Sequence, residues 1–149
     1  MTTKQFLPLP YGKDVYSELK GNGCYFVDKT PYLKDIIDKD KSNVMLFTRP
    51  RRFGKTLFMS MVEYFLKINS ANPGDTILQQ KLFKDTKILE DREFCAKYMG
   101  QHPVICITLK GVHGVDFEDA YYKLAEVVSA KANEYSFLKD SPSLDEKEK

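Results

Sequence analysis

Histidine, paired cysteine, surplus charge and long apolar runs are all scarce in this sequence, and each scarcity removes a class of function. Two histidines, His102 and His113, occur among 149 residues, and the three cysteines, Cys24, Cys95 and Cys106, show neither CxxC nor Cys/His spacing. That excludes a zinc-finger type of arrangement, and an odd cysteine count argues against a complete disulfide framework. The thiols read as reduced core side chains of a cytoplasmic protein. The net charge of +2 comes from 23 basic and 21 acidic residues, so the chain lacks the overall basicity of a nucleic-acid-binding domain and any anion site must be local. Nowhere do about 18 apolar residues run together, and the opening "MTTKQFLPLPYG" has no basic region followed by an apolar one. The reading is a soluble protein that is not exported and has no membrane partner.

What is present suffices for one domain with a core: 42% of residues are hydrophobic and 13% aromatic. The first segment is interrupted by Pro8, Pro10, Gly12, Gly21 and Gly23 and reads as an extended lead with a short helix around Val15 to Leu19, laid across a larger body. "CYFVDKT" has strand composition, and Thr30-Pro31 then supplies a capping hydroxyl and a first-turn proline for a helix from Pro31 to Asp38. "DKDKSN" is a charged turn, and "VMLFT" an apolar run of buried-strand type. From Lys55 the period changes: Leu57, Met61, Phe65 and Ile68 form one helical stripe and Phe58, Val62 and Leu66 a second. "NSANPGDT" ends that helix, and "HPVICITLKG" is the best strand in the chain. Asp116 caps a further helix with Phe117, Tyr121, Leu124 and Val128 on one stripe and Asp119 in its first turn. Alternating strands and helices in this order predict an α/β fold, a parallel sheet flanked by helices.

The chemistry concentrates in "TRPRRFGKTLFMS", residues 48–60. A phosphate-binding loop of the Walker A type needs a strand to deliver it, a turn with inward N–H groups, a lysine for the outer phosphates and a hydroxyl for Mg²⁺. Val44 to Thr48 offers the strand, Arg49, Pro50, Arg51, Arg52, Phe53 and Gly54 the turn, Lys55 the cation and Thr56 the hydroxyl. The helix beginning at Lys55 aims the positive end of its dipole at the anion, and Gly54 allows close backbone approach. Arg49 stands where the first glycine of GxxxxGK[ST] is usual, so Arg49-Pro50 must build the turn differently, with Pro50 pushing Arg49 toward an extended conformation. Arg51 and Arg52 either fork onto a phosphate or face solvent, a partner or nucleic acid. The blander reading is a basic turn between a strand and a helix, with Phe53 a packing residue rather than a stacker for a base.

With these residues in place the chain resembles the bacterial and archaeal AAA-ATPase-like family, P-loop proteins that commonly carry a PD-(D/E)XK nuclease-like domain at the C-terminal end. The resemblance rests on "GCYFVDKTPYLKDII" (23–37), "LFTRPRRFGKTLFMSMVEYFL" (46–66), "KLFKDTKI" (81–88) and "KYMGQHPVICITLKG" (97–111), and covers most of residues 6–130. The RPRRFGKT form is that family's usual spelling of the loop. The resemblance implies a P-loop NTPase-like fold that binds ATP with Mg²⁺. Arg49 to Thr56 would form the nucleotide site, Lys55 neutralising the β- and γ-phosphates and Thr56 ligating the metal. Asp28, Lys29 and Thr30 match the family's DKT signature, which lies either near the nucleotide or simply at a capped helix start.

Hydrolysis also needs an acidic group at the tip of a neighbouring strand, and "VICITLK" ends instead in Lys110-Gly111. Asp116 and Asp119 are explained by capping, so no catalytic residue is assigned. In the family the acidic strand lies further downstream. The expectation is therefore a C-terminally truncated piece: a lead (1–22), a partial P-loop ATPase-like domain (23–138) and a polar tail or truncated linker (139–149). ATP hydrolysis is then expected only of a full-length protein. The alternative is a non-catalytic module whose arginine-rich loop binds nucleic acid or protein. Self-association through uncovered apolar surface, and nucleic acid contacted through a nuclease-like domain absent here, complete the expected partners.

Overall fold

The computed structural model describes residues 7–37 and 44–137. The expected charged turn at 38–43 and the polar tail at 139–149 lie outside the described residues. Among the described residues six α-helices follow one another: α1 (Tyr16–Gly21), α2 (Tyr32–Ile37), α3 (Lys55–Leu66), α4 (Ile77–Leu82), α5 (Arg92–Tyr98) and α6 (Phe117–Glu134), with a 3-10 turn at Lys87–Glu90 between α4 and α5.

Local chemistry explains most of the boundaries. The carboxylates of Asp91 and Asp116 accept from the amides of Phe94 (3.0 Å) and Asp119 (2.9 Å), capping α5 and α6. After α3 the Asn69 side chain accepts from the amides of Ala71 and Asn72, turning the chain before Pro73-Gly74. α1 has no capping side chain of its own; its Tyr16 amide instead donates to the Ser60 hydroxyl of α3 at 3.0 Å. Ser17 donates to the Tyr64 hydroxyl one turn further along α3. The short first helix therefore exists where α3 supplies the partners its own sequence lacks.

The core gathers around α3. Phe65 is fully buried, with the Phe83 ring edge-on at 5.3 Å and the Phe94 ring stacked at 5.7 Å. Tyr16 closes the other side of Phe83 at 4.9 Å, and its hydroxyl donates to the Leu82 carbonyl. Burial pushes the Tyr16 phenol far above its ordinary range, with the nearby Asp28 charge adding to the effect. Met61, Leu33, Ile88, Cys95 and Met99 complete the cluster.

The parallel sheet predicted from the sequence is not formed, which corrects the α/β assignment: among the described residues no strand ladder occurs, and the β pairing consists of one isolated parallel bridge, Lys67 with His102. "CYFVDKT", "VMLFT" and "VICITLK", whose β-branched and aromatic content favours extension, are neither helical nor part of a strand ladder. Extension is a local preference, whereas sheet membership requires a partner strand within hydrogen-bonding distance. Val44 and Leu46 are 82% and 84% exposed and Ile105 and Leu109 are 69% and 64% exposed, where buried strands were expected. The α6 stripe is likewise uncovered, Phe117 and Tyr121 being exposed. α6 is held chiefly at its end: Glu134 pairs with Lys67, and the Tyr135 hydroxyl donates to the Val104 carbonyl (2.7 Å) while accepting from the Val104 amide (2.9 Å).

If the core is centred on α3, Phe65→Ala lowers unfolding stability by about 3–5 kcal/mol, whereas Met59→Ala, on the exposed side of the same helix, changes it by no more than about 0.5 kcal/mol. Urea unfolding of the two variants checks this, and equal effects would place the core elsewhere.

Candidate functional site

The loop that the sequence singled out leads directly into α3. Gly54 occupies the N-cap position with φ 74°, a left-handed conformation that costs glycine nothing and a β-carbon something. The Phe58 amide donates to the Gly54 carbonyl at 2.9 Å, the first bond of the helix. The amides of Lys55, Thr56 and Leu57 have no acceptor among the described residues, as expected for the uncapped start of a helix.

The missing first glycine finds its answer in the backbone before α3. The turn is made at Arg51 and Arg52, and Arg52 takes the left-handed conformation, φ 66°, that a glycine would otherwise supply. The Arg49 and Pro50 carbonyls face the Lys55 ammonium, which donates to them at 2.6 and 2.9 Å. The loop is thus curled around its own lysine. Arg49, Arg51, Arg52 and Phe53 are exposed, as is Thr56 in the first turn. The three arginines have no carboxylate partner among the described residues, whereas Lys34, Lys67, Lys123 and Lys131 are each paired with an acid.

Two adjoining clefts flank the loop. One, of about 680 Å³, lies between Arg52 and Gly54 to Leu57 on one side and Pro10 to Asp14 on the other. The second, of about 380 Å³, is more apolar and is walled by Tyr25, Phe26, Val27, Phe53 and Phe58, with Lys29 at its border. Pro10, Arg52, Gly54 and Leu57 line both. Sequence reasoning laid the N-terminal lead across the body but missed that its Pro10 to Asp14 stretch would face the loop. The signal available was the turn residue Gly12, φ 71°, between two prolines and α1.

The DKT residues separate into two roles. The Asp28 carboxylate accepts from the Thr30 hydroxyl (2.7 Å), the Thr30 amide (2.9 Å) and the Lys87 amide (2.8 Å). The Thr30 hydroxyl in turn accepts from the Ile88 amide at 3.2 Å, so it serves the 3-10 turn rather than capping α2 as expected. Burial works against the Asp28 charge, but the donated Lys87 and Thr30 hydrogen bonds outweigh it and hold the carboxyl below the usual carboxylate range. Lys29 points away from this clamp, toward the loop side.

No cluster of three or more histidine, cysteine or acidic side chains could hold a metal among the described residues. A Mg²⁺ ion would have to be held by the Thr56 hydroxyl together with oxygens of a bound nucleotide, and the exposed position of Thr56 at the loop allows that. Asp116 and Asp119 are engaged as cap and in an ion pair with Lys123. No helix among the described residues is long and apolar enough to cross a membrane.

A family model described as "Predicted AAA-ATPase" matches residues 10–149, from the lead that walls the cleft onward. The chain belongs to that family. Among curated proteins, this AAA-ATPase-like chain is 26% identical over 122 residues to an uncharacterized protein in the vnfD 5' region of Azotobacter chroococcum mcd 1. The alignment takes in 81% of this chain and 20% of that protein, so the chain spans about a fifth of its relative's length. No solved structure gives a significant match.

Because Asp28 has a depressed pKa in the folded state, the stabilisation it provides is present above the ordinary aspartate value of 3.8 and is lost as pH falls through the folded value. Asp28→Ala is therefore expected to cost on the order of 1–3 kcal/mol at pH 7, with the gap from wild type closing in strongly acidic solution. Denaturant unfolding of both proteins across acidic pH checks it; a gap independent of pH would remove the carboxylate from the explanation.

Proposed function

We propose that the chain binds ATP with Mg²⁺ at residues 49–56. The observation that carries this reading is the Lys55 ammonium held against the Arg49 and Pro50 carbonyls at the uncapped start of α3. A phosphate arriving there meets three things at once: unclaimed helix amides, a positive helix terminus and a cation already positioned by the loop. The lysine leaves carbonyl partners for phosphate oxygens, a charge-assisted exchange that needs little rearrangement of the backbone. Arg51 or Arg52 adds a fork onto the same anion, and Thr56 ligates Mg²⁺. Membership of a family of predicted ATPases supports the nucleotide as the anion. ATP hydrolysis is proposed for longer members of the family, since no carboxylate of this chain is assigned to activate water.

A second reading draws on the exposed Arg49, Arg51 and Arg52, which have no acidic partner among the described residues: a loop that grips a nucleic-acid backbone without nucleotide chemistry. The two differ in what they require of Lys55 and Mg²⁺.

Calorimetric titration of Mg-ATP is expected to show saturable binding by the wild-type chain, lost in Lys55→Ala and only weakened in Arg51→Ala and Arg52→Ala. Folded protein giving no heat with Mg-ATP, yet binding single-stranded DNA in a salt-sensitive and Mg²⁺-indifferent way, would replace the first reading with the second.

A further inference from the structure

The segment from Cys24 to Thr30 alternates in burial although it belongs to no sheet. Cys24 and Thr30 are buried and Phe26 and Asp28 half-buried, while Tyr25, Val27 and Lys29 between them are exposed. Extended backbone sends successive side chains to opposite sides, so one face is committed to the core and the other is presented outward. That outward face borders the cleft beside Arg52, Phe53 and Gly54.

The committed face is firmly tied. Thr30 is wholly buried and bridges Asp28 to the Ile88 amide, and Asp28 holds the Lys87 amide as well. Phe26 sets its ring edge-on against Tyr16 at 5.6 Å. The Lys29 ammonium, by contrast, has no hydrogen-bond or ion-pair partner among the described residues, although Lys34, five positions on, is paired with Asp91. A cation on a backbone anchored at both neighbours, left without an anion and bordering the same cleft as the phosphate loop, is placed to receive one from outside the protein.

We infer that Lys29 is a further phosphate-contacting residue of the nucleotide site, delivered from the wall opposite the loop. This rests on the reading of residues 49–56 as a nucleotide site. Lys55 lines the larger cleft and Lys29 the adjoining one, and Arg52 and Gly54 border both, so a phosphate chain passing over Gly54 would meet cations from two separate elements. The Asp28 and Thr30 side chains act as positioning residues: they fix the backbone that presents Lys29 and make no contact with nucleotide. The division explains why an acid and a hydroxyl flank the lysine in "DKT": the outer two hold, and the middle one binds.

The test is titration of Mg-ATP, at low and moderate salt, into the wild-type chain and into Lys29→Met, Lys29→Arg and Lys55→Ala, with thermal unfolding of each. Lys29→Met is expected to weaken ATP binding about 10-fold or more and to flatten the salt dependence of the affinity. Lys29→Arg should retain most of the affinity, and neither Lys29 substitution should move the melting temperature, because the side chain is exposed and unpartnered. Wild-type affinity in Lys29→Met, with binding lost in Lys55→Ala, overturns the role of Lys29 and leaves the loop assignment standing. Affinity lost only together with a lowered melting temperature overturns it in favour of a structural role. Absence of Mg-ATP binding by folded wild-type protein overturns both.

Discussion

The burial of one face of α3 is the constraint from which the rest of the structure follows. Met61 and Phe65 on that face sit among Phe83, Phe94 and Tyr16, and a helix fixed along its length has a fixed beginning. The loop at 49–54 therefore emerges at a defined place and direction. The same helix supplies Ser60 and Tyr64, which hold the first turn of α1. With α1 held, the residues just before it, Pro10 to Asp14, come to lie across the cleft from Lys55 and Thr56. A packing decision in the core thus becomes the shape of the candidate site.

Electrostatics divides the molecule in a complementary way. Away from the loop, Lys34, Lys67, Lys123 and Lys131 are each matched to an acid. Burial disfavours the charge on Lys67, yet Glu134 and Glu63 more than compensate and raise its pKa above the ordinary value. At the loop, Arg49, Arg51 and Arg52 have no acidic partner among the described residues, and Lys55 is satisfied there only by neutral carbonyls. In a chain whose total charge is nearly balanced, unmatched cations gathered at one helix terminus create a local positive field without a basic protein. Exposed ion pairs elsewhere contribute little to stability, so their value lies in neutralising competing positive surface.

The backbone of the loop shows how this turn is built without a glycine at position 49. Left-handed conformations are needed where the chain reverses, and here they fall on Arg52 and Gly54 rather than at position 49. Arg52 bears the modest cost of that conformation. The Arg49 and Pro50 carbonyls become the cradle for Lys55. The DKT residues show the same economy: a short extended piece uses its inward side chains as a clamp and leaves its middle residue facing the cleft.

Much of this was legible in the sequence because it depends on near neighbours. The start of α3 at Lys55, the Asp116 cap of α6, the turn after Leu66 and the interest of residues 49–56 all follow from side chains acting within a few positions of themselves. Asp28 and Thr30 were conspicuous as a motif, but their partners are 58 and 59 positions away in the 3-10 turn, and nothing local reveals that. The sheet failed as an expectation for the same reason. Strand composition favours extension of residues 44–48 and 104–109, and only the arrangement of separate backbones decides whether such segments pair. The amino-acid sequence by itself determined which segments coil, which extend and where the backbone must reverse, since these are contests between a residue and its immediate surroundings. Tertiary structure alone decided that these segments form no strand ladder among the described residues, that the lead walls one cleft and that Lys29 lines the adjoining one, because each depends on groups that meet only after the chain has folded back on itself.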